Sequence, residues 1–435
     1  MTPAARLSAA IEVLTDIETA RRPASDALKE WGLKRRFAGS SDRAAIAGLV
    51  YDALRRKASS AFIMDEATPR ANLLGMLALE RGYAIDAIER LCDGARFAPE
   101  PLTPLERHAL TDADLSKAPS HVAGDYPEWL DPLLAKVFGE ARVEEGAALS
   151  SRAPLDLRVN TLKGSPEEAI ALMPDLDVQA SRWSPDGLRI EQKAEAKNPA
   201  IHAEPAFIKG LIEIQDEGSQ LAALFAGAKP GEQVIDLCAG AGGKTLALAA
   251  AMDNKGQIFA TDTDKRRLAP IHARLERAGA RNVQVRTPEK SGNELKDLKG
   301  QIDLALIDAP CTGTGSWRRN PDAKWRLRPG ALEIRRKEQQ TVLARALPLL
   351  KPGGRIAYIT CSVLDDENGA QVRDFVARHP EFVIEKPASL TAALGERGVL
   401  FQRAVLMSEE GLLMTPRRTG TDGFFISVLR RSARG

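Results

Sequence analysis

Over the first 90 residues, hydrophobic positions recur at helical spacing. Ala9, Ile11, Leu14 and Ile17 form one such run, and Ala45, Ile46, Leu49, Val50 and Leu54 another. Ser40, Ser41 and Asp42 precede the second run and supply N-cap side chains. Prolines at 99, 101, 104, 119 and 127 predict loops and short helices across residues 93–130. The period then changes. Leu155 to Asn160 alternates apolar and polar like a strand, and Ser165–Pro166–Glu167–Glu168 reads as a helix start, which together predict a small α+β segment. From Gly231 onward, short apolar runs at 233–237, 257–261, 282–286, 304–307 and 355–360 are separated by helical stretches such as Ala331–Leu350. Strand–helix alternation of this kind predicts a parallel sheet covered on both faces, with ligands beyond the carboxyl ends of its strands.

Composition narrows the classes. The chain has 435 residues, 44% of them hydrophobic, enough for two or three packed domains. No apolar stretch approaches the roughly 18 residues of a membrane span, and residues 1–22 lack the apolar core of a secretory signal. Cysteines 92, 238, 311 and 361 form no C-x-x-C pair, and the histidines show no metal-site spacing, so no metal is expected. Sparse cysteine and no export signal predict a reducing, cytoplasmic setting. Net charge is only +2. Nucleic-acid binding would therefore rest on local patches. Lys34–Arg36 and Arg55–Lys57 form two patches. Arg318, Arg319, Lys324, Arg326 and Arg328 form a third, and it adjoins a chemical motif.

Four motifs fall at predicted strand ends. In Asp236–Leu–Cys238–Ala239–Gly240–Ala241–Gly242–Gly243–Lys244–Thr245, a strand enters a glycine turn and then a helix, whose free N–H groups favour anionic ligand groups. Gly243–Lys244–Thr245 fits the end of a P-loop, but Cys238 occupies the position of its first glycine. Asp262, ending the next strand, decides against a nucleotide hydrolase: a carboxylate there suits ribose hydroxyls, for which a P-loop enzyme has no use. Asp308–Ala–Pro–Cys311–Thr–Gly–Thr–Gly315 and Thr360–Cys361–Ser362 follow the fourth and fifth strands. Adjacent strand ends would bring both thiols to one rim. A lone strand cysteine is usually a small core hydrophobe, but two beside an adenosine-type site point to chemistry.

At these residues the sequence resembles the Nop/Sun family of RNA cytosine-5 methyltransferases. The matching stretches are Cys238–Thr245, Asp262 with Arg267, Asp308–Gly315, and Thr360–Ser362 with Glu367–Asn368. Ile214–Ser219 looks like the family's lead-in to its cofactor domain, and Asp422–Phe425 like its last hairpin. The N-terminal helices, above all Ser41–Arg55, look like the NusB-like RNA-binding domain of the bacterial RsmB type. Two departures stand out. The glycine loop has Ala–Gly–Ala where Ala–Ala–Pro is commoner, and Arg286–Thr287–Pro288 replaces the usual Gly–Asp after the third strand, leaving Thr287 or Glu289 for the adenine contact.

The resemblance implies a Rossmann-like class I methyltransferase domain at 221–435, a small RRM-like α+β RNA-binding segment at 141–220 and an all-α NusB-like domain at 1–140. It implies S-adenosylmethionine as cofactor and 16S ribosomal RNA as substrate, for a chain expected to be monomeric and off the membrane. Cys361 would attack the cytosine, Cys311 would help release the product, and Asp308 would bind the base. Cys238, Ala239, Gly240, Ala241, Gly242, Gly243, Lys244, Asp262, Arg267, Thr287 and Asp308 would contact the cofactor. Lys244 and nearby helix starts are expected to favour the thiolate, Trp317 and Trp325 to stack bases, and Arg158 and Asn160 to touch RNA. An RNA-binding assembly factor with a vestigial cofactor site is the alternative in a different class.

Overall fold

The computed structural model describes residues 1–192, 199–289 and 294–433. These fall into two compact units, the first holding residues 1–152 and Trp317–Leu327, the second the remainder.

The first unit is all helical. Its first helix, Pro3–Ala20, is capped by the Thr2 side chain and turns Leu7, Ala10, Val13, Leu14 and Ile17 inward, the i, i+3, i+4, i+7 stripe of an amphipathic helix. Helix Pro69–Leu79 is buried along most of its length. At its Gly75 a Cβ would stand 2.7 Å from Ser60 Cβ, so only glycine permits this helix approach. Helix Ser40–Arg55 takes in the polar run Ser40–Asp42 that was expected to precede and cap it. Its N-cap is Gly39, and Asp42 instead binds the Met1 amine and Arg6.

Residues 317–327 carry a short helix, Pro321–Arg326, into this unit. Here the structure corrects two expectations. Trp317 is buried, so its ring cannot stack on a base, and Trp325 is half-buried against the helical core and donates its indole N–H to Leu54 O at 2.7 Å. Of the third basic patch, Arg318 and Lys324 are interior, while Arg326 and Arg328 stay exposed. Lys324 is fully buried, its Nζ donating to Arg55 O at 3.0 Å, Asp125 O at 2.6 Å and Ser150 Oγ at 2.7 Å. Arg55 is buried too and donates to the Ser151 and Arg318 carbonyls at 2.8 and 2.7 Å. These cations bind backbone carbonyls, which must find partners once buried.

The second unit contains two sheets. The small one has the order β2-β3-β1-β4, all antiparallel, from β1 (Leu155–Val159), β2 (Gln179–Ala180), β3 (Gly187–Ile190) and β4 (Ile212–Ile214). One face of β1 sends Leu157 and Val159 into an apolar cluster with Leu188 and Ile212. The other face is buried yet polar, with Asp156 paired to Arg189 and Arg158 to Gln215.

The large sheet contains β5 (Gln233–Asp236), β6 (Gln257–Ala260), β7 (Val283–Val285), β8 (Ile302–Asp308), β9 (Leu350–Thr360), β10 (Phe382–Ile384), β11 (Leu406–Met407), β12 (Leu412–Met414) and β13 (Phe424–Arg431). Its order is β11-β12-β13-β9-β8-β5-β6-β7, with β10 on β13. Strands β5 to β9 are mutually parallel and β13 pairs antiparallel with β9. The middles of the inner parallel strands, such as Leu304–Ile307 and Ile356–Ile359, are apolar because both faces are covered. The predicted helix 331–350 is instead Pro329–Ala346, since Pro348 forces a 3-10 turn and Leu350 already starts β9. Strand order reverses between β5 and β8, which places the ligand crevice at their carboxyl ends.

Candidate active site

The glycine loop leaves β5 at Asp236 and enters helix Gly243–Ala251. Gly240 and Gly242 have φ of +50° and +86°, and a Cβ on Gly242 would meet Ile271 at 2.5 Å. Glycine is required there twice over. Asp236 is buried beneath the loop, accepting from Thr245 Oγ1 at 2.8 Å and from the Cys238 N–H at 3.3 Å. Burial pushes its carboxyl up to about 7, although the Thr245 hydroxyl opposes the shift.

Asp262, two residues beyond β6, turns back to this loop and accepts from the Gly240 N–H at 2.9 Å. The helix-capping role belongs to Asp264, which accepts from Arg266 N–H at 2.8 Å. Asp262 is therefore free of the simplest structural duty for an acid at a strand end. Arg267 approaches its other oxygen at 3.9 Å.

A cavity of about 260 Å³ opens over these elements, lined by Cys238–Ala241, Gly243, Lys244, Arg267 and Asp308. Thr287 is exposed and Arg286 is bound to Asp297, so neither lines it. Lys244 donates to Asp308 Oδ2 at 2.7 Å and stands 5.0 Å from the Phe424 ring centroid. The lysine is thus spoken for by a carboxylate.

Sequence reasoning missed Gln215, Ser219 and Arg274, which also line the cavity. The signal was present in the Ile214–Ser219 stretch, but its contribution depends on Arg158. That guanidinium is buried and donates to Gln215 Oε1 at 2.7 Å, leaving Gln215 Nε2 to Ser219 Oγ at 3.2 Å. Asn160 is likewise interior, bonded to Gly210 O and Ala278 O. Both expected RNA contacts are instead internal braces.

The thiols come from the next two strand ends. Asp308 lies opposite Ile359 in the β8–β9 register, so Cys311 and Cys361 leave adjacent strands. Their Sγ atoms are 3.3 Å apart, and both residues are half-buried. The facing Cys361 thiol and then burial push the Cys311 thiol well above its ordinary value. The two loops are fastened together: Gly315 N–H donates to Cys361 O at 2.9 Å, and the Thr314 hydroxyl meets Ser362 Oγ at 3.0 Å.

Residues 223–430 match the family model described as 16S rRNA methyltransferase RsmB/F, and residues 126–197 match its ferredoxin-like domain. The chain is 32% identical over 310 residues to a Synechocystis protein named "Probable ribosomal RNA small subunit methyltransferase B", covering 71% of this chain and 67% of that one. It is 32% identical over 313 residues to ribosomal RNA small subunit methyltransferase B of Sodalis glossinidius, covering 70% and 65%. The match thus spans about two thirds of the length of these relatives. Among solved structures, the protein designated PH0851 superposes with a TM-score of 0.71 at 26% identity, covering 99% of each chain. The fold and the cavity at its strand ends are those of a Rossmann-like methyltransferase. The chain belongs to the RsmB/F family of ribosomal RNA methyltransferases.

Proposed function

We propose that this protein methylates carbon 5 of a cytosine in 16S ribosomal RNA, with S-adenosylmethionine as donor and Cys361 as nucleophile. The observation that carries the reading is the pair of thiols 3.3 Å apart at neighbouring strand ends, one of them beyond the same strand as Asp308 of the glycine-loop cavity. The residues present fit the cofactor. The N–H groups of Cys238, Ala239, Gly240 and Gly242 are bonded within the protein, so those of Ala241, Gly243 and Lys244 are the ones that suit the cofactor's anionic end, and Asp262 suits ribose hydroxyls. When bound, it supplies an electrophilic methyl group on sulfonium.

Carbon 5 of cytosine is a poor nucleophile. Cys361 Sγ bonds to carbon 6, and the ring's electrons then make carbon 5 nucleophilic. Asp308 hydrogen-bonds the base and stabilises the ring as the thiolate adds. Cys311, its sulfur 3.3 Å from that of Cys361, is the partner that assists release. After methylation a water molecule takes the proton from carbon 5, the carbon 5–carbon 6 double bond re-forms, and the carbon 6–sulfur bond breaks to release Cys361 as thiolate. The target base leaves its stack to enter the site. The helical residues 1–140 act as a NusB-like RNA-binding domain, and 141–220 as a second RNA-binding segment ahead of the methyltransferase domain at 221–435.

Incubation with tritiated S-adenosylmethionine and small-subunit RNA from cells lacking the gene tests this reading. Label should appear at cytosine carbon 5 and vanish with Cys361→Ala. An active Cys361→Ala would overturn the nucleophile. No cofactor binding by calorimetry would leave an RNA-binding assembly factor instead.

A further inference from the structure

Two consecutive side chains, Glu367 and Asn368, brace the two thiol loops. They sit between the 3-10 turn Asp365–Glu367 and helix Gly369–Arg378. Glu367 is fully buried and holds the Cys311 loop on both sides of the thiol, while its carboxyl also meets the Ser362 side chain beyond Cys361. Its Oε1 accepts from the Thr312 N–H at 2.8 Å and from Gln339 Nε2 at 3.1 Å, and its Oε2 accepts from the Thr312 hydroxyl. Gln339 also donates to Pro310 O at 3.0 Å, so the residues on both sides of Cys311 hang on one carboxyl and one amide.

Asn368, also buried, turns to the other loop. Its Oδ1 accepts from the Thr360 hydroxyl and its Nδ2 donates to Ser362 O at 2.9 Å. Thr360 and Ser362 flank Cys361. Tyr358 of β9 ties the base of the arrangement by donating to Glu367 O at 2.6 Å. Burying a carboxyl is costly, and an apolar residue of similar volume would serve stability alone as well or better. What a carboxyl and an amide add is a fixed direction for each loop.

We propose that Glu367 and Asn368 are positioning residues with divided duties. Glu367 sets the Cys311 loop and so the breakdown of the covalent adduct, while Asn368 sets Cys361 and so its formation. The division rests on the cytosine-5 reading above.

Single-turnover reactions of the full chain with S-adenosylmethionine and small-subunit RNA test it, following protein–RNA adduct on denaturing gels beside methylated product. Glu367→Ala should slow product release about tenfold while adduct builds up. Glu367→Gln, which keeps an acceptor for the Thr312 N–H, should restore part of the rate. Asn368→Ala and the isosteric Asn368→Asp, which both lose the donor to Ser362 O, should slow adduct formation about tenfold with no build-up. In a Cys311→Ala background, Asn368→Asp should delay the adduct and Glu367→Gln should not. Parallel loss of adduct and product in both sets of variants, tracking a fall in melting temperature, would overturn the division. No adduct from Cys311→Ala alone would instead sink the cytosine-5 reading and the division with it.

Discussion

Cys311 and Cys361 present their sulfur atoms to each other at 3.3 Å, across loops joined by the Gly315 N–H to Cys361 O hydrogen bond. Two thiols so placed can be linked with little movement of the loops. Stoichiometric diamide, which takes one hydrogen from each thiol and becomes a hydrazine, should close a single bridge between them. The protein should become lighter by two hydrogens and lose adduct formation, and dithiothreitol should restore both. Cys311→Ala protein should resist this mass change. A bridge mapped by peptide mass spectrometry to Cys92 or Cys238 would contradict the expectation.

Lys244 and Asp308 form the cavity's central ion pair, with Nζ 2.7 Å from Oδ2 and the lysine 8% exposed. Removing the cation leaves two acids, Asp236 and Asp308, facing each other without their shared counter-charge. Lys244→Met should weaken S-adenosylmethionine binding about tenfold or more, since breaking one partner of a sheltered pair costs a few kcal/mol. Asp308→Asn alone should weaken it less, because the buried neighbour Asp236 then loses a like charge. Isothermal titration of both variants gives the order directly, and equal affinity of Lys244→Met and wild type would refute it.

The strands β5, β6, β8 and β9 and the motifs that follow them were legible because parallel strands covered on both faces read as unbroken apolar runs, and glycines mark the turn at Gly240–Gly242. Boundaries were less so. Gly39 caps the helix that the run Ser40–Ser41–Asp42 was expected to cap, and Pro348 ends the helix expected to run to Leu350. What the sequence hid were buried cations. Arg158, Lys324 and Arg55 read as surface charge because their acceptors, Gln215, Asp125 O and Ser151 O, come from distant parts of the chain. The cavity residues Gln215 and Arg274 were hidden for the same reason, since neither belongs to a strand end of the large sheet.

Asp236 gives the fold a pH dependence whose sign is fixed. Burial raises its carboxyl to about 7, against about 3.9 in an unfolded chain. The folded state therefore holds this proton more tightly. The stability it confers is fully present below about pH 4 and lost as pH rises toward 7, on the order of a few kcal/mol in all. Buried Glu367, Asp156 and Glu217 are raised as well and act with the same sign. Asp236→Asn removes the largest ionisation under the glycine loop. Its melting temperature should fall less than that of the wild type between pH 5 and pH 8. Equal slopes would show that Asp236 is ionised throughout.

Lys324 stands only eight residues beyond Ser316, where the Cys311 loop ends, and its charge invites an RNA-binding reading. Its surroundings argue otherwise. The side chain is 0% exposed, with three oxygens, Arg55 O, Asp125 O and Ser150 Oγ, around Nζ. Three acceptors match the three donors of an ammonium, while burial pulls the group down to about 7. Because the folded pKa lies below the unfolded value of about 10.4, the site gains stability as pH rises from 7 toward 10. Lys324→Met keeps the volume but strands the Arg55 carbonyl and leaves Asp125 O and Ser150 Oγ only their 3.4 Å bond to each other, costing about 1–3 kcal/mol for each group left unsatisfied. Urea denaturation should show the helical unit weakened, and the wild-type gain in stability between pH 7 and pH 9 should vanish in the variant. At 4 °C, where the variant stays folded, the salt dependence of RNA binding should match the wild type, since a sealed cation neutralises no phosphate. A shallower salt slope would mean that Lys324 reaches RNA after all.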